Sequence, residues 1–298
     1  MAERDYTTSL RGVAILIIML AHCCGSFFRY FTPLGGIGVA MFLILSGYGL
    51  NESYKNGGGG RFWVKRFQKV WIPYFILISI IAIIGRWSLQ DYIVDVALLQ
   101  TSYWYIGYIF GCYLVFWISS VMFSKYRILI MIVCALSTIF LLKGVEGEQG
   151  LSFIGGVLLS EKGKQFLTHN KTKMRAVLAC ILIGVIFLAA KQMAWYREIE
   201  AQQVCLLNRH IVNVINIIAK FPIAMALIEG FAWFTRMMSS KIILLIGTIS
   251  YELYLIHMIF IHSISGQVKV AVAVVIGSIL MSILFNKINN RVKEYLFT

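Results

Sequence analysis

Arg11 and His22 lie eleven residues apart within one apolar stretch, Leu10 to Phe28. On an α-helix that spacing is about three turns, so both side chains project from one face roughly 16 Å apart along the axis. An imidazole can take a proton from a hydroxyl as general base, or accept an acyl group itself. A guanidinium can grip an anion through two parallel hydrogen bonds. Because an ionisable residue inside a membrane helix is by default functional, this face offers a cation near one surface and a titratable group well inside.

A second group of cations, Lys65, Arg66 and Lys69, crowds the start of the third apolar segment, where the helix dipole adds partial positive charge. Two readings stand. The residues anchor the helix on an anionic inner surface, or they complete, with Arg11 at the same depth, a cytoplasm-facing anion site. Ser46, in the sequence Ser46-Gly47-Tyr48 on the second segment, falls at that depth as well. The glycines from Gly57 to Gly60 lack the lysine and following Ser or Thr of a P-loop and read as a flexible turn.

The elements that must hold these residues follow from composition. Of 298 residues, 59% are hydrophobic and only 13% charged, and the mean hydropathy is +0.80. A soluble domain carries about 25% charged residues, so the chain reads as an all-α, polytopic transmembrane bundle. Stretches of about 20 apolar residues cross a bilayer. Ten candidates fall near 9–29, 35–50, 67–85, 103–123, 127–142, 149–160, 175–195, 210–234, 241–262 and 267–286, with the sixth short enough to be re-entrant. No cleavage site follows the first run, which reads as a retained helix. Residues 1–298 read as a single transmembrane domain with no soluble domain.

Lys and Arg divide unevenly between the two sets of loops. Nineteen fall on the side of the N-terminus, among them Lys162, Lys164, Lys171, Lys173 and Arg175, and seven on the other. The positive-inside rule then places both termini in the cytoplasm. The same bias accounts for the net charge of +14 through membrane lipids rather than nucleic acid. Six scattered cysteines show no spacing suited to a metal and read as packing residues.

Other polar residues carry two readings each. His257, at a depth like that of His22, reads first as a structural histidine bonded across helices. Asn213, Asn216 and Lys220 follow i, i+3, i+7 spacing and form a stripe that must face the interior, as interhelical glue or as a binding surface. Glu229 points away from Lys220. Asp91 and Asp95 share a face of an interfacial helix near Tyr103, Trp104 and Tyr105, which anchor at the membrane surface or stack on a sugar.

These residues also carry a resemblance. Arg11 and His22 form an R-x10-H pattern, and MFLILSGYGL resembles an FFxLSGF stretch. RFWVKRFQKVWIPYF resembles a basic R..R...P stretch, and ISYELYLIH, Ile249 to His257, resembles SYxxYLIH. The four ordered matches resemble the acyltransferase-3 family of membrane proteins. What the resemblance implies is transfer of an acyl group, usually acetyl, from cytoplasmic acyl-CoA to a hydroxyl on an extracytoplasmic glycan or lipid-linked sugar, in a bacterial cytoplasmic membrane. It implies Arg11 and His22 as the essential pair and Ser46, Arg66 and Lys69 as donor contacts. Lys69 stands where arginine is usual, keeping the charge without the fork geometry. The competing class is a transporter or flippase of a glycan intermediate, since buried charges also mark transport paths. No metal is implied, and the oligomeric state is open.

Overall fold

The computed structural model describes residues 3–25, 27–101, 103–163, 171–261 and 268–297. Lipid supplies no hydrogen bonds to a backbone, so apolar segments of this length close their own bonds as helices. Among the described residues every regular element is helical. In chain order these are α1 (Glu3–Gly25), α2 (Thr32–Lys55), α3 (Phe62–Gly85), α4 (Leu89–Val96), α5 (Trp104–Met122), α6 (Arg127–Leu141) and α7 (Ser152–Glu161). They continue with α8 (Lys171–Ala190), α9 (Ala194–Ala201), α10 (Leu206–Gly230), α11 (Lys241–Thr248), α12 (Ser250–Phe260) and α13 (Val268–Phe297).

Eight of the described helices are long and apolar enough to cross a membrane. The pair α11 and α12 is long and apolar enough for a ninth only when taken together, and it is bent by 72° at Ile249, whose φ of −97° and ψ of 9° leave the helical region. The expected straight span at 241–262 is therefore broken, and residue 262 lies outside the described residues, as do Lys164 and the first residue of the span placed at 267–286. The short sixth segment packs along part of α2. Gln149 donates to the Gly36 carbonyl at 3.0 Å, while Lys55 donates to the Ser160 carbonyl at 2.7 Å. Glycines let the two backbones touch: a Cβ on Gly156 would stand 1.8 Å from the Ile44 carbonyl oxygen, and one on Gly47 would stand 2.1 Å from that of Phe153. Small residues serve this purpose at membrane helix contacts.

α1 sits at the centre of the bundle. It packs on α2 and on α11, where a Cβ on Gly247 would lie 2.0 Å from the Thr8 carbonyl oxygen. Tyr6 donates to the Ile228 carbonyl and Ser9 to that of Met238, each at 2.6 Å, so the N-terminal end of α1 is pinned by hydrogen bonds as well as by packing. The face that carries Arg11 and His22 therefore has a fixed position.

The polar stripe on α10 bonds to neighbouring segments. Lys220 donates to both carboxylate oxygens of Glu148 at 2.6 Å, and both residues are buried. Asn213 donates to the Ile139 carbonyl at 2.8 Å, and Lys191 donates to Asn216. Asp95 is also internal: α4 folds back so that the Tyr74 hydroxyl donates to it, whereas Asp91 stays at the helix start with Ser88.

Candidate active site

One end of the site is cationic. Arg11 lies across α2 at Gly49, where a Cβ would stand 3.5 Å from its Nη2. Phe42, Ser46 and Gly49 recur at i, i+4, i+7, a stripe of α2 left partly open between buried neighbours. Tyr105 of α5 meets that stripe, with its ring 6.5 Å from Phe42 and its hydroxyl against Ser46.

Arg66 and Lys69 come from α3, and a local irregularity presents them. Pro73 has no N–H to give, and the helix widens just before it into a π-turn at Phe67–Trp71, with the Ile72 N–H reaching back to the Phe67 carbonyl. The Tyr251 hydroxyl donates to the Val70 carbonyl at 2.7 Å, supporting the widened turn from α12. The Arg66 guanidinium lies over the Tyr113 ring at 5.5 Å and the Phe62 ring at 5.9 Å, and its Nε is buried without a hydrogen-bond partner.

Arg11, Arg66 and Lys69 lie within electrostatic reach of one another, and Arg4 and Lys65 add to the field at Lys69. Among the described residues no carboxylate pairs with any of the three; the ion pairs are Lys55–Glu52, Arg127–Glu161 and Lys220–Glu148. Like charges held together without counter-charges repel, so the arrangement is complementary to a polyanion.

The other end is built around His22, partly exposed on the same helix about three turns on. Its ring stands 5.6 Å from that of His257 on α12. The carbonyl of Leu253 can only accept, so His257 Nδ1, 2.9 Å away, donates to it. Nε2 of His257 is buried without a partner.

The structure thus brings Arg11, Ser46, Arg66 and Lys69 together and sets His22 apart at the far end of α1. It adds Tyr113, which the sequence reading did not name, and brings in Tyr105, expected as a surface anchor or sugar platform, and Tyr254, which lies in the ISYELYLIH stretch. Tyr254 precedes His257 by three residues on one helix, so the two share a face. Among the described residues no cluster of His, Cys, Asp and Glu is arranged to hold a metal. A separate apolar cavity of about 330 Å³ lies between α5, α6 and α7, lined by Gly111, Met131 and Ile154.

A family model described as an acyltransferase domain matches residues 5–286. No curated protein and no solved structure matches the chain.

Proposed function

The chain belongs to this acyltransferase family, and from that premise we propose that it moves an acyl group, usually acetyl, from cytoplasmic acyl-CoA to a hydroxyl of an extracytoplasmic glycan or lipid-linked sugar. The observation that carries the proposal is the uncompensated group Arg11, Arg66 and Lys69 at one end of α1 with His22 at the other. Coenzyme A is a polyanion with a long thin arm ending in a thioester. The cations grip its phosphates, Ser46 and Tyr105 line the arm, and the roughly 16 Å between Arg11 and His22 matches the reach of such an arm. His22 then takes the proton of the acceptor hydroxyl, or takes the acyl group itself. Both termini lie in the cytoplasm on this reading, which rests on the uneven division of Lys and Arg between the two sets of loops. The protein would work in a bacterial cytoplasmic membrane.

Membranes containing the full chain, incubated with labelled acetyl-CoA, test this. Label should pass to the glycan fraction. His22→Ala should lower transfer about 10²- to 10⁴-fold while the protein still accumulates. Near-full turnover by that variant would remove His22 from the chemistry, and glycan movement without acyl-CoA dependence would favour transport.

A further inference from the structure

Four tyrosines meet ring to ring beside His257. Tyr74 and Tyr103 lie 5.8 Å apart, Tyr103 and Tyr254 6.1 Å, and Tyr105 and Tyr254 5.3 Å. Three of their hydroxyls are engaged. That of Tyr74 donates to Asp95, that of Tyr103 donates to the Leu255 carbonyl at 3.0 Å, and that of Tyr105 lies against Ser46. The fourth, Tyr254 Oη, is buried with no partner. Its ring lies 5.8 Å from His257, whose Nε2 is the other orphaned polar atom there. Both residues are nearly sealed, at 7% and 3% exposure. A buried donor and a buried acceptor left unsatisfied cost the fold free energy, and one of the two residues, His257, stands beside partly open His22.

We infer that Tyr254 and His257 are two further catalytic residues of this site, Tyr254 as hydrogen-bond donor to the reacting carbonyl oxygen and His257 as the partner that shares the proton with His22. The inference rests on the acyl-transfer reading above. The acceptor hydroxyl gives its proton to the pair of imidazoles, and its oxygen forms the new C–O bond at the thioester carbonyl carbon. The carbonyl π electrons move onto oxygen, where Tyr254 Oη–H donates to the developing oxyanion. Collapse breaks the C–S bond, the electron pair leaves on sulfur, and the proton held by the pair passes to it, giving free coenzyme A thiol and the ester. The Leu253 carbonyl fixes the proton of neutral His257 at Nδ1, so Nε2 is the atom with a free lone pair. The atoms that lack partners in the resting fold are the ones that gain partners during the reaction.

The test is paired measurement of thermal stability and of kinetics, on the full chain in membranes with labelled acetyl-CoA. Tyr254→Phe removes only an oxygen that bonds to nothing. Its melting temperature should be equal to or above that of the parent, its KM for acetyl-CoA should stay within about twofold, and kcat should fall about 10²- to 10³-fold. His257→Asn retains an amide N–H for the Leu253 carbonyl but has no base. It should keep its melting temperature and lose about 10²-fold or more in kcat, whereas a purely structural histidine would be rescued by it. If the parent transfers label and depends on His22 while Tyr254→Phe and His257→Asn both keep more than half of kcat, this inference alone is overturned. If the parent transfers no label, the acyl-transfer reading falls and takes this one with it.

Discussion

The bundle holds two polar regions built from similar residues to opposite ends. Around Glu148 and Lys220 the two central charges pair with each other, Asn213 finds a carbonyl of α6 and Asn216 finds Lys191 just past α8; Glu148, Lys220 and both asparagines are buried, and the bonds tie α10 to α6, to the end of α8 and to the segment before α7. Around α1 the cations Arg11, Arg66 and Lys69 have no carboxylate among the described residues, and Arg66, Tyr254 and His257 leave polar atoms unsatisfied. Unsatisfied buried groups each cost about 1–3 kcal/mol, so the second region lowers stability and the first contributes structure. Buried charge alone therefore does not separate the two regions; what does is the gathering of three cations at one end of α1 without a carboxylate among the described residues.

The largest effect that could break this contrast is in the satisfied region. Lys220→Ala leaves a carboxylate buried and unpaired and should destabilise the protein by about 3–5 kcal/mol. The double variant Glu148→Gln, Lys220→Met should recover most of that loss, because replacing both ions is often neutral. Thermal unfolding in detergent reads both. If Lys220→Ala unfolds like the parent but abolishes acyl transfer, this region is also functional and the contrast collapses.

Arg11→Ala probes the other region and should invert the pattern. A charged hydrogen bond contributes on the order of 1.5–3 kcal/mol, so acyl-CoA binding by calorimetry should weaken about ten- to a hundredfold. Unfolding should not shift downward, since removing one of several unpaired like charges relieves repulsion. His22→Ala should leave donor binding nearly intact. Equal losses of affinity in the two variants would mean that α1 does not divide donor grip from chemistry.

Much of this was legible along the chain because it is written in local spacing. Arg11 and His22 share one helix, and the Asn213, Asn216, Lys220 stripe shares another, so periodicity alone gave their common faces. The partners of those faces come from far away. His257 is 235 residues from His22, and Glu148 is 72 residues from Lys220; no local pattern encodes which helices become neighbours. Helix ends drifted for a related reason. The first span, expected at 9–29, starts at Glu3, because the polar first turn is held by Tyr6, Ser9 and the Glu3 contact to Tyr48 rather than by hydropathy. The break at Ile249 was invisible to hydropathy as well, since both halves are apolar.

The smallest effect is the sharpest comparison, because one chemical change is made in both regions and should differ in sign. Lys69 is exposed at the edge of the cationic group and carries no ion pair among the described residues. Lys69→Arg keeps the charge and adds a planar fork that can hold a phosphate through two bonds. One added hydrogen bond contributes about 0.5–1.5 kcal/mol, so acyl-CoA affinity should rise about two- to tenfold with unfolding unchanged. Lys220 has no such room: a Cβ on the facing Gly36 would already stand 2.7 Å from its Cδ. Lys220→Arg must push a bulkier head into a filled site and should destabilise by about 1–3 kcal/mol. A Lys69→Arg protein that binds acyl-CoA no better than the parent would mean that Lys69 only anchors α3 at the membrane surface, leaving Arg11 and Arg66 as the donor grip.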